Sequence, residues 1–146
     1  MAKVLKIGIT KNKGGHINEV NEVEVIHGSG IVNDRHFRQD NHIKSQITLI
    51  EVENINYYNK ITGTTISPEE FRRNIVTQGI RLNDLVGKEF LVGSIKLKAH
   101  DLCRPCKYLQ KTLNQKNTIK ELLLKGGIRC EILNDGKIVV GDEINL

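Results

Sequence analysis

Apolar and polar residues alternate along much of the chain in short runs. Val4–Ile9 and Val23–Ile26 each set every second side chain on an apolar face, the period of a half-buried strand. Ser45–Glu51 (SQITLIE) predicts another and is richer in β-branched residues. Phe90–Val92 and Ile95–Ala99 flank Gly93-Ser94, a glycine-first turn suited to a hairpin. Ile128–Leu133 and Lys137–Val140 flank Asn134-Asp135-Gly136, which predicts a second hairpin.

Helical signals are few and short. Asn54–Lys60 predicts two turns after a strand. Ser67-Pro68-Glu69-Glu70 has a capping serine, a proline at the first helical position and a glutamate three residues after the cap, ahead of an extended Asn74–Thr77. Pro105–Leu113 and Thr118–Lys125 are further candidates, the second closed by Gly126-Gly127. Strands do not alternate with long helices, so a doubly wound parallel sheet is disfavoured. The pattern predicts a mostly β fold with a few short helices, a closed or partly closed antiparallel β-barrel. No linker, repeat or low-complexity tract divides residues 1–146, which read as a single domain.

Composition adds limits. The 146 residues include 38% apolar and 27% charged side chains, ordinary globular values that exclude wholesale disorder. No apolar run approaches the ~18 residues of a membrane span. Met1–Thr10 lacks an apolar signal core and a small-residue cleavage site. The three cysteines, an odd number, fit a reducing compartment, and a cytoplasmic protein is the expectation. A net charge of +5 favours anionic partners. With six aromatic residues (three Tyr and three Phe) not interleaved with the basic ones, a base-stacking nucleic-acid surface is poorly supplied.

Cys103-Arg104-Pro105-Cys106 is where reactive chemistry is written most plainly. It follows a strand at the expected start of a helix, where unpaired N–H groups and the helix dipole favour a thiolate. Arg104 and Lys107 add positive charge, and His100 lies just upstream. A thiolate ligates metals or attacks sulfur. Four readings stay open for the pair: a redox pair, half of a zinc site, two small buried side chains, or one reactive thiolate. Cys130, in the alternating run Ile128–Ile132, reads as an inert strand residue.

Two further clusters carry candidate chemistry. Asn33-Asp34-Arg35-His36 follows Gly28-Ser29-Gly30 on a glycine-rich loop, as either a functional loop or a solvated turn. Arg72-Arg73-Asn74 offers guanidinium groups that can clasp a phosphate and an amide that can read a polar heterocycle edge, or is simply an exposed basic face.

Taken in order, these segments resemble the MOSC family, named for the carboxy-terminal domain of molybdenum cofactor sulfurase. The resemblance runs through Asn33–His36, similar to a Gly-Asp-Arg-His segment of family members, and Phe71–Thr77 with Gly79. It continues through Leu82–Lys88, Cys103–Cys106, Gly126-Gly127-Ile128 and Val140-Gly141-Asp142. Asn33 stands where glycine is usual.

The resemblance implies a β-barrel with a pocket for the molybdenum cofactor, a pterin dithiolene (molybdopterin) bearing a phosphate. It maps the role of metal ligand or sulfur carrier onto Cys106, with Cys103 second. Arg72 and Asn74 take the cofactor-contacting roles, Arg35 and His36 lie at the pocket, and Arg104 joins the basic set. Molybdenum and persulfide sulfur are both thiophilic, which suits a cysteine. The implied activities are sulfur carriage, with a sulfur donor or acceptor protein as partner, or reduction of N-hydroxylated compounds. A non-catalytic carrier of the cofactor and a basic RNA-binding barrel are the alternatives. The chain lacks the extra amino-terminal barrel of the amidoxime-reducing members. It also lacks the pyridoxal-phosphate domain of the eukaryotic sulfurase, so pyridoxal phosphate is not expected.

Overall fold

The computed structural model describes residues 1–12, 14–104, 111, 113 and 124–146. Its strands are β1 (Lys3–Ile9), β2 (Asn18–Val20), β3 (Glu22–Ile26), β4 (Gly30–Ile31), β5 (Ile47–Glu51), β6 (Ile75–Gln78), β7 (Glu89–Val92), β8 (Ile95–Leu102), β9 (Ile128–Ile132), β10 (Gly136–Val139) and β11 (Ile144–Asn145). The helix α1 (Val52–Thr62) follows β5, and 3-10 turns occupy Pro68–Phe71 and Leu82–Leu85.

Eight strands form one sheet in the order β11-β7-β8-β9-β5-β6-β1-β2, and β10-β3-β4 form a second. The large sheet curls until the β11 end meets β1, next to its other edge. Val4 N–H donates to the Asp142 carbonyl at 2.8 Å, Gly141 N–H to that of Val4 at 2.8 Å, and Ile144 N–H to that of Ala2 at 3.0 Å. The result is a partly closed β-barrel. It is not wholly antiparallel: β5 and β6 run parallel, joined by α1. Because α1 covers them, these two strands bury both faces. Ile47, Leu49 and Ile75 face the barrel core, while Ile50 and Val76 pack with Ile55, Tyr58 and Phe71 beneath the helix. That explains the nearly unbroken apolar run in β5. Tyr58 meets Phe71 edge to face at 5.5 Å.

The Gly93-Ser94 hairpin joins β7 to β8 as expected. The second expected hairpin does not form, since β9 pairs with β8 and β5 while β10 pairs with β3. The turn residues bond outward instead. Asn134 Oδ1 accepts from Lys96 N–H and Asp135 Oδ1 from His27 N–H, both at 2.7 Å, which sends the chain across to the smaller sheet. The expected helix Asn54–Lys60 is longer, Val52–Thr62, ended by Gly63 at φ 70°. The Ser67 capping box is absent: its side chain makes no cap bond, and Arg72 at φ 62° stops the turn after four residues. Of the expected helices Pro105–Leu113 and Thr118–Lys125, residues 105–110, 112 and 118–123 lie outside the described residues; Lys111 and Leu113 are helical, and Leu124 and Lys125 form a turn. Among the described residues no helix is long and apolar enough to cross a membrane.

Glu51 ends β5 almost fully buried, its Oε1 accepting the Leu82 N–H at 2.7 Å. Burial raises its pKa, against the opposing Leu82 hydrogen bond. A carboxyl whose folded pKa is raised contributes stability below its unfolded pKa, and that contribution is lost as pH rises through the folded value. Glu51→Gln keeps the acceptor and removes the charge. Its melting temperature is expected to exceed the parent's at neutral pH, with the gap closing in acid. Thermal melts across pH check this.

Candidate functional site

One cavity of about 240 Å³ collects most of the residues singled out in the sequence. It lies on the side of the sheet away from the core. Thr48 on β5 and Arg129 on β9 are register partners, and each alternates with buried neighbours (Ile47 and Leu49, Ile128 and Cys130). Alternation therefore turns Thr48 and Arg129 outward, into the cavity. Thr10 at the end of β1, Asp34, Arg35 and His36 on the loop after β4, Arg72, Arg73 and Asn74 before β6, and Cys103 after β8 complete its walls with Ile17.

The loop is shaped by a buried carboxylate. Asp34 Oδ1 accepts from Thr10 N–H at 3.1 Å and Oδ2 from His36 N–H at 3.2 Å, while Arg35 N–H donates to the Thr10 carbonyl at 2.7 Å. Asn33, where the family pattern has glycine, has φ 73°; asparagine is among the few side chains that tolerate this left-handed backbone. The substitution therefore keeps the turn.

Asn74 ties three segments together. Its Oδ1 accepts from Thr48 N–H at 3.0 Å and from the Thr48 hydroxyl at 3.2 Å. Its Nδ2 donates to the Gly8 carbonyl at 3.2 Å, and its own N–H donates to Thr48 Oγ1 at 3.1 Å. Both ends of the amide thus hold the cavity floor, linking β1, β5 and the start of β6.

Three of the four guanidinium groups are anchored on carbonyls. Arg72 Nη1 donates to Gly15 at 2.9 Å, Arg73 Nε to Gly126 at 2.9 Å, and Arg129 Nη1 to Lys44 at 3.3 Å. With Arg35 they set four permanent cations against the single carboxylate of Asp34. Partial burial lowers the pKa of His36, and the cations Arg35, Arg129 and Arg72 add to that against Asp34.

The two cysteines of the motif part company here. Cys103 is buried, its N–H donating to the Gly127 carbonyl at 2.7 Å. Burial pushes its thiol pKa up, against Arg73 and Arg129, so the lowered pKa expected at a helix start does not apply to Cys103, which sits at a strand end. Cys106 and Pro105 lie outside the described residues. Arg104 is not among the cavity walls; it is exposed and faces Asp101 at 3.7 Å. His100 pairs with Glu131 at 2.8 Å. Cys130 is buried in β9 with its thiol pKa raised well up by burial, the inert role expected of it. Among the described residues no three His, Cys, Asp or Glu side chains converge as a metal cage.

Arg129, Thr48 and Thr10 join the site without having been chosen from the sequence, and Arg73 joins it from the Arg72-Arg73-Asn74 cluster. The signal for Arg129 was there: a lone cation inside the buried run Ile128–Ile132 needs a polar space to face.

The MOSC-domain family profile matches residues 24–145. No curated protein matches the sequence. Among solved structures the chain is similar to the YuaD protein from Bacillus subtilis, with a TM-score of 0.85 at 20% identity over 99% of this chain and 94% of that one. It is also similar to YiiM from Geobacillus stearothermophilus (TM-score 0.81, 18% identity, 100% and 75% coverage) and YiiM from Escherichia coli (0.73, 16%, 100% and 69%). At such identities these likenesses establish the fold. The profile match over most of the chain goes further, and the protein belongs to the MOSC-domain family, a family associated with the molybdenum cofactor.

Proposed function

We propose that the arginine-lined cavity binds the molybdenum cofactor and that Cys106 supplies the sulfur that meets its metal or carries sulfur to it. The observation that carries this reading is the donor set: four arginines and Cys103 line one cavity, and Cys106 stands three residues further along the sequence. Guanidinium groups clasp phosphate oxygens through charge-assisted hydrogen bonds, and the cofactor's phosphate is its strongest anion.

The space supports the same division. The cavity's ~240 Å³ suits a phosphate and its adjoining group, and a second cavity of about 300 Å³ shares the walls Ile17 and Arg72. Arg35, Arg72, Arg73 and Arg129 would hold the anionic end; Asn74 and Thr48 would keep the floor in register. The bound cofactor would supply a thiophilic, two-electron redox metal. The chain's own part is to orient that group, to present a thiolate, and to exclude water with the loop that Asp34 shapes. Where the protein acts as an enzyme, reduction of N-hydroxylated compounds is the activity this arrangement supports; sulfur delivery is the other.

The experiment mixes pure protein with molybdenum cofactor and measures molybdenum and pterin retained after gel filtration. Stoichiometric retention of both is expected. Arg72→Ala combined with Arg129→Ala should weaken retention by about tenfold or more, roughly the value of one lost charge-assisted contact. Cys106→Ala should release molybdenum and lose turnover of an N-hydroxylated substrate supplied with an electron donor. Unchanged metal retention in Cys106→Ala would contradict the ligand assignment, and no retention by the parent protein would end the cofactor reading.

A further inference from the structure

His36 is an exposed wall of the cavity, held among the described residues by its backbone alone. Its N–H donates to Asp34 Oδ2 at 3.2 Å, and its carbonyl accepts from Asn41 Nδ2 at 2.7 Å. Among the described residues its imidazole makes no hydrogen bond. The same loop contributes Arg35 and Asp34, the segment before β6 contributes Arg72 and Arg73, β9 contributes Arg129, and the end of β8 contributes the neutral thiol of Cys103. Lys44, whose carbonyl Arg129 grips, turns its ammonium to Asp101 at 3.3 Å.

Electrostatics fixes what this arrangement does when filled. A guanidinium stays charged at every physiological pH, so in the absence of an anion the imidazole faces a surplus of positive charge and gives up its proton readily. A dianion among the same arginines cuts that surplus from +3 to +1 and presents acceptor oxygens to the ring. We infer that His36 takes up a proton when an anion enters the cavity, so that the cavity binds an anion and a proton together. The inference rests on the reading of the cavity as an anion site, and it gives the site a group that arrives at the occupied state as an imidazolium donor. By linkage the coupling is reciprocal: protonating His36 must tighten the anion by the same factor.

Sulfate is the probe, since it keeps both charges across the histidine range of about pH 5–8. The five histidine ring protons are followed by NMR through a pH titration, in sodium sulfate and in sodium chloride of equal ionic strength, with His36 assigned by His36→Gln. In chloride, His36 should titrate lower than an ordinary histidine. In sulfate it should move up by about one unit, which by linkage equals roughly tenfold tighter sulfate binding in acid than in base. That pH dependence should shrink to below about twofold in His36→Gln, and Arg129→Ala should remove both effects together.

Sulfate that binds, in an Arg129-dependent way, while His36 stays put would overturn the coupling and leave the anion site standing. Absence of Arg129-dependent sulfate binding would overturn the anion site and the coupling with it. An equal shift of all five histidines would mark a general salt effect and overturn the coupling as well.

Discussion

Gly127→Ala is expected to destabilise the protein by about 4 kcal/mol or more, enough to leave little folded material at physiological temperature. Two effects add. Gly127 has φ 99°, a conformation that side-chain-bearing residues rarely adopt. An added Cβ would also run into the Leu49 carbonyl oxygen and lie 3.0 Å from its carbon and 3.2 Å from Ile50 Cα. These are backbone atoms of β5, held on one side by β9 and on the other by β6, so they cannot step aside. Gly126 is similarly enclosed, with an added Cβ 2.6 Å from the Cys103 carbonyl oxygen. The glycine pair is thus what lets the returning chain press against both β5 and the end of β8. Gly141→Ala is the control: φ is 96° there, but nothing lies within 4 Å of an added Cβ. It should cost only the ~1–2 kcal/mol of backbone strain. Equal melting temperatures for the two variants would show that the enclosure contributes nothing.

Asn74→Ala should be the next most damaging change, at about 3 kcal/mol. It leaves the Thr48 N–H and the Gly8 carbonyl without the partners they have now, and each buried polar group so orphaned costs ~1–3 kcal/mol. A fall of roughly 6–12 °C in melting temperature follows for a domain of this size. Asn74→Asp separates the two halves of the amide. It keeps an acceptor for Thr48 but turns a second acceptor toward the Gly8 carbonyl, so it should be nearly as damaging at neutral pH and recover in acid, where the carboxyl can donate. A variant as stable as the parent would mean that the floor of the cavity is held by other contacts. Sulfate binding measured on the surviving folded fraction would then report whether the arginine cluster needs that floor.

These two positions also show what the sequence could and could not disclose. Alternation located β1, β3, β8 and β9, because a strand with one buried face writes its geometry directly into residue order. The short strands β2, β4 and β11 carry two or three residues each, too few to establish a period. The parallel pairing of β5 with β6 was hidden for a different reason: α1 covers their outer face and erases the polar half of the pattern. The Asn134–Gly136 turn misled because a turn signal says where a chain bends and not which strand it meets next. At the site, Arg35, His36, Arg72 and Asn74 were legible as motifs, and the structure does bring them to one cavity. Their companion Arg129 stood out only as a lone cation in a buried run; that it joins them is set by the register of β5 and β9, which residue order does not show. Nor could residue order show that the Asn74 amide would face inward along the sheet at both ends.

The seam between β1 and residues 141–144 has a consequence for biosynthesis. Val4 is translated early, yet the backbone partners that Val4 and Ala2 meet in the finished barrel belong to Gly141, Asp142 and Ile144. Until those residues leave the ribosomal exit tunnel, the Ala2–Val4 end of β1 presents unpaired backbone groups on that side. Pairing over such a separation is slow. The cavity gains its Arg129 wall only once β9 has paired with β5, so ligand capture follows synthesis of residues 128–132.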